Sequence, residues 1–182
     1  MADVKSAANK SLEEKFSINV ITFIKGFYTT VKWFYDNKEI NDVDPELISL
    51  AAGIIEAFDD KKSMINKYIE YSHDKWPLIK EKNRDFLINH AKTLFGNIPG
   101  NAAEIFTKLF KASKKIKGPD GKDQDVYVIG KTYEDSYWQY FESFTKLCIK
   151  YIHERRTVGG NTKFFEYVDV KKHAQLFCVD LK

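Results

Sequence analysis

From Thr132 to Arg156 the chain runs for 25 residues, TYEDSYWQYFESFTKLCIKYIHERR, without a glycine or a proline. Its apolar residues fall at Tyr133, Tyr137, Phe141, Phe144, Cys148, Tyr151 and Ile152, in steps of three and four. At about 100° per residue those positions share one side of a helix. Trp138 and Leu147 widen the stripe to about half the circumference, which suits a helix with neighbours on two sides, and Gln139, Glu142, Lys146, Lys150 and His153 take the solvated side. Thr132 ahead of Glu134 and Asp135 reads as an N-cap followed by acids that suit the helix dipole. Lys150, Arg155 and Arg156 suit the other end, and Gly159-Gly160 stops it. A long, wide-faced helix of this kind has to be a central one, and the rest of the chain must supply what covers it.

The other helices announce themselves by their starts. Ser11-Leu12-Glu13-Glu14 matches a capping box and opens a first long helix to about Asp36, with Leu12, Phe16, Val20, Phe23, Phe27 and Phe34 inward and Ile21, Ile24, Tyr28 and Val31 beside them. Asp36 to Asp44 is an acidic linker. Asp44-Pro45-Glu46 then predicts a second helix through Leu47, Leu50, Ala51, Ile54, Ile55 and Phe58, apolar nearly all round and so deeply buried, with Gly53 at a close approach. Asp59-Asp60 opens a third through Met64, Ile65, Tyr68, Ile69 and Ser72. Trp76-Pro77 interrupts it, and a short helix follows through Leu78 and Ile79. Asn83 caps a helix with Phe86, Leu87, Ala91, Leu94 and Phe95 inward and Gly96 as its stop. Asn101 to Glu104 starts another, faced by Ile105, Phe106, Leu109 and Phe110.

The fold class this predicts is all-α: six to eight helices in an irregular bundle, one domain over 1–182. An exposed, mobile basic loop is expected at 111–125, where Gly118-Pro119-Asp120-Gly121 supplies turn signals. Val126–Ile129 is a candidate short extended piece, pairing with part of the tail as the competing arrangement. The segment 159–182 is an appendage in which Asp169 caps a last helix through Leu176 and Phe177.

Composition narrows the function classes. Hydrophobic residues at 43% and aromatics at 15% supply a core, and a net charge of +3 does not demand a polyanionic partner. Cys148 and Cys178 make no disulfide framework and read as thiols in a reducing compartment. The stretch Met1–Lys10 has no apolar core of a secretory leader, and Ala2 rather than glycine excludes N-myristoylation. The run Phe16–Tyr35 is broken by Asn19, Lys25, Gly26 and Lys32, so no membrane insertion is expected, and the expected location is intracellular, in the cytoplasm.

No catalytic, metal or cofactor site emerges. His73, His90, His153 and His173 show no zinc-binding spacing, there is no C-x-x-C, and His173 with Cys178 lacks two further ligands. Asp36–Asn41 and Asp120–Asp125 both fail the calcium-loop pattern. Neither a phosphate-binding glycine loop nor a nucleophile elbow is present, and Cys148 sits in an apolar stripe. What remains is surface. Lys108–Lys122 holds six lysines against Asp120, and Lys111, Lys114, Lys115 and Lys117 are the candidates for a weak nucleic-acid contact. No arginine or aromatic is interleaved there, so a solvated loop is the plainer account. Asp36–Asp60 is its mirror, eight acids and Lys38. Tyr137, Trp138 and Tyr140, with Trp33 and Trp76, are candidates for an aromatic interface, although ordinary core packing explains them as well. Arg155 and Arg156 complete the candidate surface.

Only Arg84, Arg155 and Arg156 among 29 basic residues are arginine, a bias expected of an AT-rich genome. Asp85-Phe86-Leu87-Ile88-Asn89 through Leu94-Phe95-Gly96-Asn97-Ile98-Pro99, and Phe141-Glu142-Ser143 through Lys150-Tyr151-Ile152-His153-Glu154-Arg155, resemble small helical proteins encoded by large AT-rich DNA viruses. The resemblance spans about a third of the chain and carries no functional residue. It implies a virus-encoded accessory or virion-associated protein in the host cytoplasm or the virion. The expected function is therefore that of a non-enzymatic structural or interaction protein, with a protein partner or self-association. A nucleic-acid-associated factor is the alternative, and no small-molecule substrate is indicated.

Overall fold

The computed structural model describes residues 10–40, 44–57, 59–95 and 102–182, without the side chains of Leu47, Ile48, Ala51, Ile55 and Phe95. Helices α1 (Leu12–Asp36), α2 (Pro45–Glu56), α3 (Lys61–Ser72), α4 (Trp76–Lys80), α5 (Arg84–Phe95) and α6 (Ala102–Lys111) come first. Strands β1 (Ser113–Lys117) and β2 (Asp123–Tyr127), then α7 (Lys131–Thr157) and α8 (Val170–Phe177), complete the chain. The fold is all-α with one small two-stranded sheet.

Five starts are capped as their sequences require. Ser11 and Glu14 exchange both bonds of the capping box, at 3.0 and 3.2 Å. Asp44 Oδ1 accepts from the Glu46 N–H at 3.0 Å, Asp60 Oδ1 from Ser63, Asn83 Oδ1 from Phe86 at 2.8 Å, and Asp169 Oδ1 from Lys172. Each satisfies one of the donors a helix N-terminus leaves over. The expectations placed on Phe58, Gly96 and Asn101 lie outside the described residues.

Helices α1 and α7 form the axis. Glu13 meets Arg155, Asn19 meets Ser143, Phe23 meets Tyr140 and Phe34 meets Tyr133, so one index rises as the other falls and the helices are antiparallel. With 25 and 27 residues they run roughly 37 and 40 Å at 1.5 Å per residue. Phe23 is the centre of the seam, its ring 5.4–6.1 Å from those of Phe27, Tyr137, Tyr140, Phe141 and Phe144. Tyr68 of α3 closes on Phe16 and Phe144, and Phe106 of α6 on Phe27 and Tyr137. α4 and α8 cover the far side of α7. The two-sided stripe predicted for α7 is thus filled on both sides, except that Tyr133 at its mouth is exposed.

Several expectations give way. The cap of α7 is Gly130, extended at φ −74° and ψ 168°, and Thr132 lies inside the first turn. Trp76 is helical despite preceding proline. A 3₁₀ turn, His73–Lys75, ends α3, and Pro77 sits in the first turn of α4, where its missing N–H costs nothing. Over its described side chains α2 is not deeply buried: Ala52 is buried, but Leu50 is 62% and Ile54 53% exposed, and a Cβ on Gly53 would meet no described neighbour within 4 Å. It packs on α1 and touches α6, and among its described side chains Leu50 and Ile54 are left uncovered by the described residues.

The segment expected as a loop at 111–125 is exposed but regular. It is a hairpin in which Ser113 pairs Tyr127, Lys115 pairs Asp125 and Lys117 pairs Asp123. Gly121, at φ +75°, donates to the Gly118 carbonyl and turns the corner. Val126 therefore pairs with Lys114 rather than with the tail, the cheaper closure because so few residues intervene. Val128 and Ile129 are buried and anchor the hairpin. The tail, expected as an appendage, is packed: Val168, Val170, Ala174 and Phe177 are buried against α4 and α7.

Candidate functional site

The lysines of the basic segment are largely spoken for. Lys114 reaches Glu39 at 2.7 Å, Lys117 reaches Asp123 at 2.7 Å, and Lys108 reaches Glu104 at 3.1 Å. Lys115 lies opposite Asp125 in the register. Within 113–127 four lysines stand among three aspartates, a net of one positive charge. The carboxylates of Glu104, Glu39, Asp123 and Asp120 offset four of the six lysines of 108–122, and only Lys111 and Lys115 among the described lysines there make no ion pair.

The aromatic candidates divide. Tyr137, Trp138 and Trp76 are buried, and Tyr140 is half-buried against Phe23. They are core residues because α7 has neighbours on both sides. Trp33 alone of the group is open, 50% exposed, its ring edge-on to Phe34 at 4.9 Å.

Arg155 and Arg156 are structural ties. Arg155 Nη2 donates to Glu13 Oε1 at 2.6 Å, joining the last turn of α7 to the first of α1. Burial would raise the Glu13 pKa, but its backbone bond and Arg155 outweigh that and hold the carboxyl below its ordinary 4.5. Arg156 donates to the carbonyls of Phe164 at 2.8 Å, Phe165 and Val168 at 3.2 Å, binding the turn after α7 to the helix.

The third arginine was missed by the sequence reading. Arg84 donates to Glu134 of α7 and to the Phe110 carbonyl at 2.8 Å, and its guanidinium lies 4.0 Å over the Tyr127 ring. It joins α5, α6, β2 and α7. The signal was the scarcity itself: in a chain that uses lysine by default, an arginine marks a place needing a planar fork of donors.

Grooves are shallow in chemistry. One of 710 Å³ opens where α1 and α3 begin and α7 ends, lined by Ser11, Glu14, Asp60, Lys61, Tyr151 and Arg155. Its charges are mixed, and its two helix N-termini are already capped by Ser11 and Asp60. Among the described residues no group of three or more histidine, cysteine or acidic side chains is placed to hold a metal. Burial pushes the Cys148 thiol far up, away from thiolate chemistry, while Cys178 is exposed. No helix among the described residues is long and apolar enough to cross a membrane.

The surface that stands out is α2. Leu50 and Ile54, one turn apart, form with Gly53 and Ala57 an apolar strip facing out. From Asp44 to Asp60 the chain carries five carboxylates and no basic residue. Lys25 of α1 is bonded to Glu56, Tyr28 donates to Glu46, and Lys61 and Lys62 follow Asp60 in the chain. Nothing in the linear sequence distinguished this strip from core, since α2 is apolar on every side.

Comparison with protein-family models, with curated proteins and with solved structures found no match to this chain. The functional reading therefore rests on its own geometry.

Proposed function

We propose that the chain is a non-enzymatic helical interaction protein whose docking element is α2, and that its partner presents a basic amphipathic helix. The observation that carries this is the Leu50–Ile54 strip left open on a segment bearing five carboxylates and no base. Apolar residues on the partner would fill the strip while its lysines or arginines met the exposed carboxylates of Glu46, Glu56 and Asp59, giving affinity from burial and orientation from charge. Self-association through α2 is disfavoured, because two copies laid antiparallel would set acid against acid. The nucleic-acid alternative is less favoured because Lys108, Lys114 and Lys117 are paired with Glu104, Glu39 and Asp123, leaving Lys111 and Lys115 as its described candidates without an ion pair. An accessory role in a viral particle or factory is the setting the sequence resemblance suggests for such a partner.

The test is fluorescence anisotropy with a labelled, synthetic 18-residue leucine/lysine amphipathic helix as probe. Binding should weaken with added salt and fall at least tenfold in the Leu50→Ser, Ile54→Ser double variant, which removes the apolar strip without changing the charge. Equal binding by the variant sinks the proposal. Light-scattering mass across a salt series, with and without a short duplex DNA, provides the cross-check. A dimer that survives the double variant, or a mass gain only with DNA at low salt, also overturns it.

A further inference from the structure

Two histidines that play no part in the α2 surface flank the seam that holds α8, His173 on Trp76 and His73 on Tyr167. His173 lies one turn into α8, with its ring edge-on to the buried Trp76 indole at 5.0 Å and 78°. It is 9% exposed, and its Nδ1 is buried with no hydrogen-bond partner among the described residues. From the opposite side comes His73, in the 3₁₀ turn between α3 and α4. Its Nδ1 is 3.1 Å from the Ile69 carbonyl, and its ring packs on Tyr167 at 4.8 Å. The turn after α7 carries Tyr167 and is tied to α7 by Arg156. α8 itself is held by apolar contact, Val170, Ala174 and Phe177, and by the His173 ring.

The charges around His173 leave a proton poorly compensated. On its own element are Lys172, which opposes protonation, and Asp169, which favours it. Asp169 already caps α8 through the Lys172 N–H. His73 opposes a second positive charge, and Asp74 beside it is bonded to Lys75 at 2.8 Å. From α3, Glu70 acts on Tyr167. α4 sets Lys80 over the Phe177 ring at 5.7 Å, with its ammonium toward Glu142 of α7. α7 brings His153 and Arg156 to the cleft beside Asp169 and Lys171.

We propose that this seam is a pH-operated latch: protonation of His173 frees α8 from Trp76, while Arg156 keeps the preceding turn on α7. Release bares an apolar surface made of Trp76, Ile79 and the inner face of α8. Burial first, then Lys172 and His73, hold the docked imidazole below its ordinary value of 6.5. Above that pH neither the docked nor the released form carries the proton, and docking is at full strength. Below it the released form binds the proton and the docked form does not, so docking weakens as the pH falls, up to tenfold per unit.

Hydrogen exchange of the whole chain between pH 7.5 and 5.0, corrected for intrinsic rates, tests this. Amides of α8 should lose protection below pH 6.5, approaching tenfold per unit, while those of α1 and α7 hold theirs. His173→Gln should abolish the slope. Should Gln leave α8 open at every pH, His173→Phe keeps a ring on Trp76 with no proton to gain, and its α8 should stay protected throughout. A flat α8 profile in the unmodified chain overturns the latch, as does a slope that survives both substitutions. So does protection lost in α1, α7 and α8 together, which would mean global acid unfolding.

Discussion

Replacing Arg84 tests whether the fork of an arginine, rather than its charge, joins four elements. Its side chain and that of Glu134 are each 20% exposed, so their bond is weakened by solvent but not cancelled. A hydrogen bond involving a charged group contributes about 1.5–3 kcal/mol, and a stacked guanidinium about 0.5–1 kcal/mol. Allowing for that exposure, Arg84→Met should cost about 3 kcal/mol, because Glu134 is left facing the Trp138 indole without its cation. Arg84→Lys keeps the charge but cannot reach Glu134 and the Phe110 carbonyl together while lying flat on Tyr127, and should still cost about 2 kcal/mol. In urea, with a slope of about 2 kcal/mol per molar, those losses lower the midpoint by about 1.5 and 1 M. Hydrogen exchange should show the damage concentrated in the hairpin 113–127 and at the start of α5. A Lys variant within about 0.5 kcal/mol of the parent would refute the reasoning, since charge alone would then suffice.

Phe23→Ala removes the ring at the centre of the α1–α7 seam and should cost about 3–5 kcal/mol by chemical denaturation. A loss below about 1.5 kcal/mol would mean that the seam collapses around the gap. In the native chain a thiol reagent should modify Cys178 within minutes and leave Cys148 untouched until denaturant is added, as read by mass spectrometry. The depressed Glu13 pKa contributes stability that is present above pH 4.5 and lost as the pH falls through the folded value. Glu13→Gln should therefore flatten that part of the acid unfolding curve. A curve unchanged in Glu13→Gln would show that the carboxylate is not depressed.

The helix starts could be read from the linear chain because their chemistry is local. Ser11, Asp44, Asp60, Asn83 and Asp169 each bond an N–H two or three residues ahead, so the residues that make the cap are neighbours in sequence. The apolar stripes of α1 and α7 were legible for the same reason, since a 3.6-residue period needs no partner to be seen. Which stripe is covered is a different question. α2 is the more apolar helix by composition and yet leaves Leu50 and Ile54 exposed, whereas Tyr137 and Trp138, with polar tips suited to a surface, lie inside. Burial depends on how many neighbours a helix acquires, and those neighbours are set by contacts across long sequence separations. The same holds for charge. Six lysines look like a basic patch until the hairpin lays Lys117 beside Asp123 and the bundle lays Lys114 beside Glu39, 75 residues away. Arg84 finds Glu134 across 50 residues and Arg155 finds Glu13 across 142. Sequence alone determined a mostly helical chain and where five of its helices begin. Only the tertiary structure decided which surfaces remain for a partner, because exposure is a property of the packed whole.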